Sequence, residues 1–177
     1  MKIAHIADIH IRIYKRHAEY REVFARLYQS LREHKVDRIA LLGDIFHSKS
    51  ILSPEAVELA AEFFTELAQI APVDILIGNH DVNIKNDTRL DAISPIVDLI
   101  SGSNPPYPVS VFKTSETMII FPSSEKLVYG IFSCLDEAHF PINPAIPPIL
   151  LRDSLPTTRI ALFHGNLCGS YSENMYK

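Results

Sequence analysis

The stretch Val73-Asp74-Ile75-Leu76-Ile77-Gly78-Asn79-His80-Asp81 sets the reading of this chain. A short, mostly apolar run ends in a glycine, and three polar side chains follow at once. Such a run suits a buried strand, and glycine lets the backbone turn sharply at its end. Asn79 can offer a neutral amide oxygen. His80 is then free for proton work, with Asp81 placed to hold its other ring nitrogen and fix the tautomer. A polar turn is the plainer alternative.

Three other pieces are built the same way. Asp8-Ile9-His10 follows KIAHIA, Gly43-Asp44 with His47 follows RIALL, and His164-Gly165 follows RIALF. In an extended strand, positions i and i+2 point the same way, so Asp8 and His10 can grip one ion. Asp44 can give two oxygens to two ions. Taken singly, each piece has an ordinary reading as a turn, a solvated carboxylate or a structural histidine. Their conjunction at separate strand ends points to metal ions gathered at the rim of a sheet.

The elements between these pieces alternate. Residues 2–7 read as a strand. Tyr20, Phe24, Leu27, Tyr28 and Leu31 mark a helix over 17–34. Residues 38–42 are a second strand. Ser53 as N-cap, Pro54 in the first turn and Glu55 at the positive end open a helix running to about Ile70. Residues 73–77 are the third strand. The β-α-β-α-β order with continuous apolar strands predicts a parallel sheet covered on both faces, with ligands beyond the carboxyl ends of the strands. A short helix is expected over 91–100, then strands over 109–113, 117–121 and 127–133 in antiparallel or mixed pairing. The proline-bearing segment 141–156 reads as loop with one helical turn near Ile149–Leu151, before a strand over 159–163. His5 reads as a packed core histidine inside the first strand.

The chain has 177 residues, 47% of them hydrophobic, which suits one domain with a sizeable core. Its 17 basic and 21 acidic residues give a net charge of −4, so nucleic-acid binding would need a local basic patch. Arg12, Lys15 and Arg16, with Tyr14 among them, supply one just after the first motif; a solvated loop is the plainer alternative. Arg21, Lys49 and Arg89 are weaker candidates. Cys134 and Cys168 have no CxxC spacing and read as free thiols in a reducing compartment. No leader is visible, and no run approaches the ~20 apolar residues of a membrane span. A cytoplasmic protein, nucleoid- or DNA-associated and without membrane attachment, is expected; a nuclear or viral origin fits as well.

DxH, GDxxH, GNHD and a later strand-borne HG resemble the ordered motifs of the calcineurin-like metallophosphoesterases. Within that superfamily the chain is similar to the SbcD-type nuclease subunit of the double-strand-break repair complex. Protein phosphatases of the superfamily carry GDxxDRG and GNHE, and neither is present. The resemblance implies an α/β fold, a four-layer α-β-β-α sandwich with two mixed sheets. It implies two divalent ions, by family habit manganese, with magnesium or iron as alternatives. Asp8 and His10 would bind the first ion, Asp44 would bridge, and Asn79 and His164 would bind the second. His80 would be the catalytic histidine, oriented by Asp81, and His47 would help hold the phosphate.

The family's final GHxH motif does not occur in these residues, nor does its DNA-binding cap. The chain therefore reads as residues 1–177 of one nuclease domain: an N-terminal portion of a longer protein, or a shortened relative. The expected activity is metal-dependent hydrolysis of DNA phosphodiesters. The expected partners are DNA and an SMC-like ABC ATPase subunit, with a possible homodimer formed through the helix over 91–100. A phosphomonoesterase or cyclic-nucleotide diesterase on the same fold is one competing reading. A non-catalytic scaffold that binds the ATPase or a DNA end is another.

Overall fold

The computed structural model describes residues 1–48, 50–86, 88–121, 126–139 and 156–165. Four strands, β1 (Ile3–Ile6), β2 (Arg38–Leu42), β3 (Val73–Leu76) and β4 (Val109–Phe112), alternate with three helices, α1 (His17–His34), α2 (Pro54–Leu67) and α3 (Ser94–Gly102). The strands pair in the order β1-β2-β3-β4, parallel throughout. Parallel strands joined in sequential order by right-handed crossovers carry all their helices on one face. That face is the larger core, where Ile39 and Leu41 of β2 and Val73 and Ile75 of β3 meet Phe24, Phe63, Phe64 and Val97.

The opposite face receives a second sheet. It consists of β5 (Glu116–Ile120), β6 (Lys126–Phe132) and β7 (Thr157–Phe163), in that order. β5 pairs antiparallel to β6, and β6 pairs parallel to β7. Leu42, Leu76 and Phe112 from the first sheet pack on Leu127, Tyr129, Ile131 and Leu162 from the second. The α/β sandwich is as expected, with two differences of detail. The sequence pattern puts β4 among the antiparallel or mixed strands, yet α3 carries the chain across and adds β4 parallel to β3. Among the described residues the first sheet is therefore parallel throughout and the second is mixed.

Local signals explain most of the boundaries. Ser53 Oγ accepts from Ala56 N at 3.2 Å, and Pro54 fills the first turn of α2. α2 ends at Leu67 because the next residues tighten: Gln69 N bonds Glu66 O and Ile70 N bonds Leu67 O. α3 begins at Ser94, later than expected, with Ile93 as its N-cap; Asp91 lies in the turn before it, where its Oδ1 accepts from Ile93 N at 2.9 Å and Ser94 N at 2.6 Å. His5 is exposed rather than packed in the core. β1 lies at the edge of its sheet, and its neighbour Ile3 is the residue that reaches the second cluster.

On β7, Thr157, Thr158, Arg159 and Ala161 are exposed, in line with an open face on the second sheet among the described residues. The expectations for Lys49, Cys168 and residues 141–155 of the proline-bearing loop lie outside those residues.

Candidate metal centre

The loops that leave β1, β2, β3 and β7 converge at the carboxyl ends of their strands. They enclose a cleft of about 490 Å³ lined by Asp8, His10, Asp44, Asn79, His80 and His164, among others. The first two loops are zipped together by backbone bonds: Asp8 N to Gly43 O at 3.2 Å, His10 N to Asp44 O at 2.9 Å, Ile11 N to Ile45 O at 2.8 Å and His47 N to Ile11 O at 3.0 Å.

The spacing argument for Asp8 and His10 assumes an extended strand, but β1 has already ended at Ile6. Both residues lie in a loop with left-handed backbone, φ 57° and 51°, and Asp44 has φ 54°. Such conformations cost about 1–3 kcal/mol each in non-glycine residues and collect at functional sites. Here they turn three ligand-type side chains into one cleft.

The glycines permit close approach. A Cβ on Gly78 would collide with Asp44 N and Oδ1, and one on Gly43 would lie 2.6 Å from the His164 ring.

Asp44 is buried at the centre. Its Oδ1 accepts from His80 N at 2.9 Å and lies 3.3 Å from His164 Nε2. Its Oδ2 lies 3.5 Å from His10 Nε2, which is 3.6 Å from Asp8 Oδ1. Burial works against the Asp44 carboxylate, but the hydrogen bonds from His164 and His80 N outweigh it and hold its pKa below the ordinary value.

His164 Nδ1–H donates to Leu42 O at 2.6 Å, which leaves Nε2 facing Asp44. The Asp44 hydrogen bond, opposed by burial, raises the His164 pKa to about 9.

Two groups of ligand atoms come within 4.8 Å of one another: Asp8, Asp44 and His164, and separately His10, His47 and His80. The first group fits a divalent ion by its chemistry. It has two carboxylates, an imidazole whose other nitrogen is anchored on a carbonyl as metal-bound histidines usually are, and a buried aspartate whose two oxygens face opposite sides. Asn79 lines the same cleft.

Asp81 does not orient the His80 ring. It is fully buried, and its oxygens accept from Phe46 N at 3.0 Å and Gly78 N at 2.9 Å. It therefore ties the loop after β2 to the loop after β3. Burial, opposed by those two amides and assisted by Asp44, raises its pKa to about 6. The ring of His80 is held instead by the His47 carbonyl, 2.8 Å from Nδ1.

His47 is exposed, and its pKa is lowered by desolvation and then by the charges of Arg12, His10 and His80. Arg12, Tyr14, Lys15 and Arg16 are all exposed in the turn between this cleft and α1. Arg16 makes a loose 3.8 Å pair with Glu19. Arg21 is committed to Glu62 and Glu58 on α2.

Helical spacing marks Tyr20 as a core position, yet its hydroxyl donates to His10 O at 2.6 Å and supports the first loop. No local pattern distinguishes a tyrosine used this way from one that only packs.

Comparison with known proteins gives the family of the chain. Residues 1–171 match the calcineurin-like phosphoesterase family. The chain belongs to that family. Over 99 residues this phosphoesterase is 48% identical to an uncharacterized protein of Acanthamoeba polyphaga mimivirus, a match covering 54% of the chain and 7% of that protein. It is 35% identical over 104 residues to the DNA double-strand break repair protein Mre11 of Methanopyrus kandleri, covering 54% of the chain and 22% of the relative. For the Mre11 protein of Archaeoglobus fulgidus the figures are 34% over 87 residues, 46% and 19%. The matched stretches thus span less than a quarter of each relative's length. The crystal structure of Pseudomonas putida nuclease MPE aligns with a TM-score of 0.43 at 19% identity, over 73% of this chain and 52% of that one. Among the described residues, no helix is long and apolar enough to cross a membrane.

Proposed function

We propose that this phosphoesterase hydrolyses phosphodiester bonds of DNA with two divalent ions, manganese by preference. The ions would be held by Asp8, His10, Asp44, Asn79 and His164. The observation that carries the reading is the convergence of these side chains in one cleft with a basic, tyrosine-bearing turn beside it. Two ions in such a centre supply Lewis-acid charge and a water acidic enough to attack at neutral pH.

The chain's own groups do the rest. His80, its ring oriented by the bond from Nδ1–H to the His47 carbonyl, would give the leaving oxygen a proton from Nε2–H when the ring is protonated on both nitrogens. His47 and Arg12 bring donors to the non-bridging phosphate oxygens. Asp81 keeps the loops bearing His47 and Asn79 in register. Tyr14, 74% exposed, offers a face on which a base can stack.

The likeness to proteins named for DNA double-strand break repair supports DNA as substrate within this proposal; an SMC-like ATPase as partner rests on the motif resemblance alone. Exposed Leu99 on α3, 79% accessible, is where a second copy would pack.

The test compares manganese-dependent turnover on DNA ends and on bis-p-nitrophenyl phosphate, with Asp44→Ala as control. Preference for DNA and loss in the variant are expected. Equal turnover of both substrates would favour a general diesterase. The absence of manganese heat in calorimetry would leave a scaffold.

A further inference from the structure

The second nitrogen-bearing group is chemically unlike the first. We propose that His10, His47 and His80 form an all-imidazole site that takes one zinc ion, and that zinc there switches the cleft off. The expected catalytic pair gives His47 and His80 to the phosphate and to proton transfer, not to a metal. The regulatory half of the proposal rests on the hydrolase reading above; the zinc site does not.

Four observations support it. The ligand nitrogens of the three rings lie within 4.8 Å of one another, and no carboxylate belongs to the group. The rings surround a common space, with centroids 5.1 Å apart for His10–His80, 5.6 Å for His10–His47 and 6.0 Å for His47–His80. The bond from His80 Nδ1–H to the His47 carbonyl frees Nε2 as a lone pair, the second-partner pattern of metal-bound histidine. His10 faces Asp8 and Asp44 through Nε2, while its Nδ1 is buried with no hydrogen-bond partner among the described residues. To hold zinc while Nε2 faces the carboxylate centre, that ring would release its remaining N–H proton to solvent and bridge the two ions as an imidazolate, so zinc uptake would be accompanied by proton release.

Ligand type then selects the metal. Three imidazoles with an open fourth position make a standard zinc arrangement, and nitrogen donors favour zinc or copper over manganese or magnesium. Ideal tetrahedral coordination brings ligand nitrogens to about 3.3–3.4 Å of one another, from zinc–nitrogen bonds of about 2.0–2.1 Å. The trio must therefore close slightly, and exposed His47 is the ring free to swing. Arg12 opposes a cation here and Asp8 and Asp44 favour one, so the site should bind zinc reversibly. A bound ion would occupy the nitrogens needed for phosphate and for the leaving group.

The experiment uses the metal-stripped chain saturated with manganese, then titrated with zinc by calorimetry and with cobalt, whose visible d–d bands report tetrahedral coordination. Wild type is expected to take up one further ion and to lose its manganese-dependent turnover as it does; turnover unchanged at full uptake overturns the switch. His47→Ala and His47→Gln should weaken that uptake at least tenfold, while Asp8→Asn leaves it within twofold. His47 is exposed, and circular dichroism checks the fold of each variant. No uptake beyond manganese in wild type overturns the proposal. So does uptake lost in Asp8→Asn but kept in both His47 variants, which would place zinc in the carboxylate centre. If manganese neither binds nor supports turnover while zinc uptake still requires His47, the hydrolase reading falls and the zinc site stands.

Discussion

Replacing Asp81 by asparagine tests whether this carboxylate is a buried loop tie held against its own preference for protonation. The rise in pKa from 3.8 to about 6 corresponds to about 3 kcal/mol against the charged form at neutral pH. The side chain is fully buried, so solvent screening does not reduce that figure. Asparagine keeps one oxygen for either Phe46 N or Gly78 N, and turns an NH2 toward the other. Leaving that amide unpaired costs about 1–3 kcal/mol. Near pH 8 the two effects nearly cancel, so the variant should be about as stable as wild type.

The pH dependence carries the sharper prediction. Between 3.8 and about 6 the folded wild type binds more protons at this site than the unfolded chain does. Its stability relative to Asp81→Asn therefore falls as pH rises through that window and levels off above it. From pH 5 to pH 8 the wild-type advantage should shrink by roughly 1–2 kcal/mol. Urea melts in EDTA, followed by circular dichroism, measure it. A difference that stays constant or widens with pH would refute the reasoning.

Four other outcomes are expected. In the ion-free chain the His164–Asp44 pair stabilises fully below 6.5, and that contribution is lost as pH rises through about 9. Cation binding must displace this proton, so calorimetry in buffers of different ionisation heat should show proton release near neutral pH, and His164→Ala should abolish it. Tyr20→Phe removes the hydroxyl bond to the His10 carbonyl. It should cost about 0.5–1.5 kcal/mol in denaturant melts and weaken manganese binding. Arg12→Ala with Lys15→Ala should lower DNA affinity and reduce the salt slope by about 0.9 for each phosphate no longer neutralised, seen by anisotropy at several salt concentrations. Phe63→Ala removes a ring stacked 4.2 Å from Phe24 in the larger core and should cost about 3–5 kcal/mol in the same melts.

Much of the architecture is readable from local chemistry. α1 spans the residues its apolar spacing marks, and Ser53 caps α2 through the bond its position predicts. The strand cores are legible because continuous apolar runs have few other uses. The errors fall where a residue's role depends on something distant. Asp91 reads as part of a helix and instead stands before it, paired with Lys113 beyond β4. Asp81 reads as a partner for His80 and is a tie between two loops. β4 reads as part of the later meander, because nothing in its sequence says which sheet it will join.

The donor types, and the strand ends that carry them, follow from residue identity and short-range pattern, which act over a turn or a strand. Their assembly into two neighbouring ligand groups follows from parallel register, left-handed turns at Asp8, His10 and Asp44, and two glycines that let loops touch. Those features depend on contacts between segments more than thirty residues apart, such as His164 on the Leu42 carbonyl and Asp81 on Phe46 N. No short window of sequence encodes such contacts; they form only once both sheets have packed.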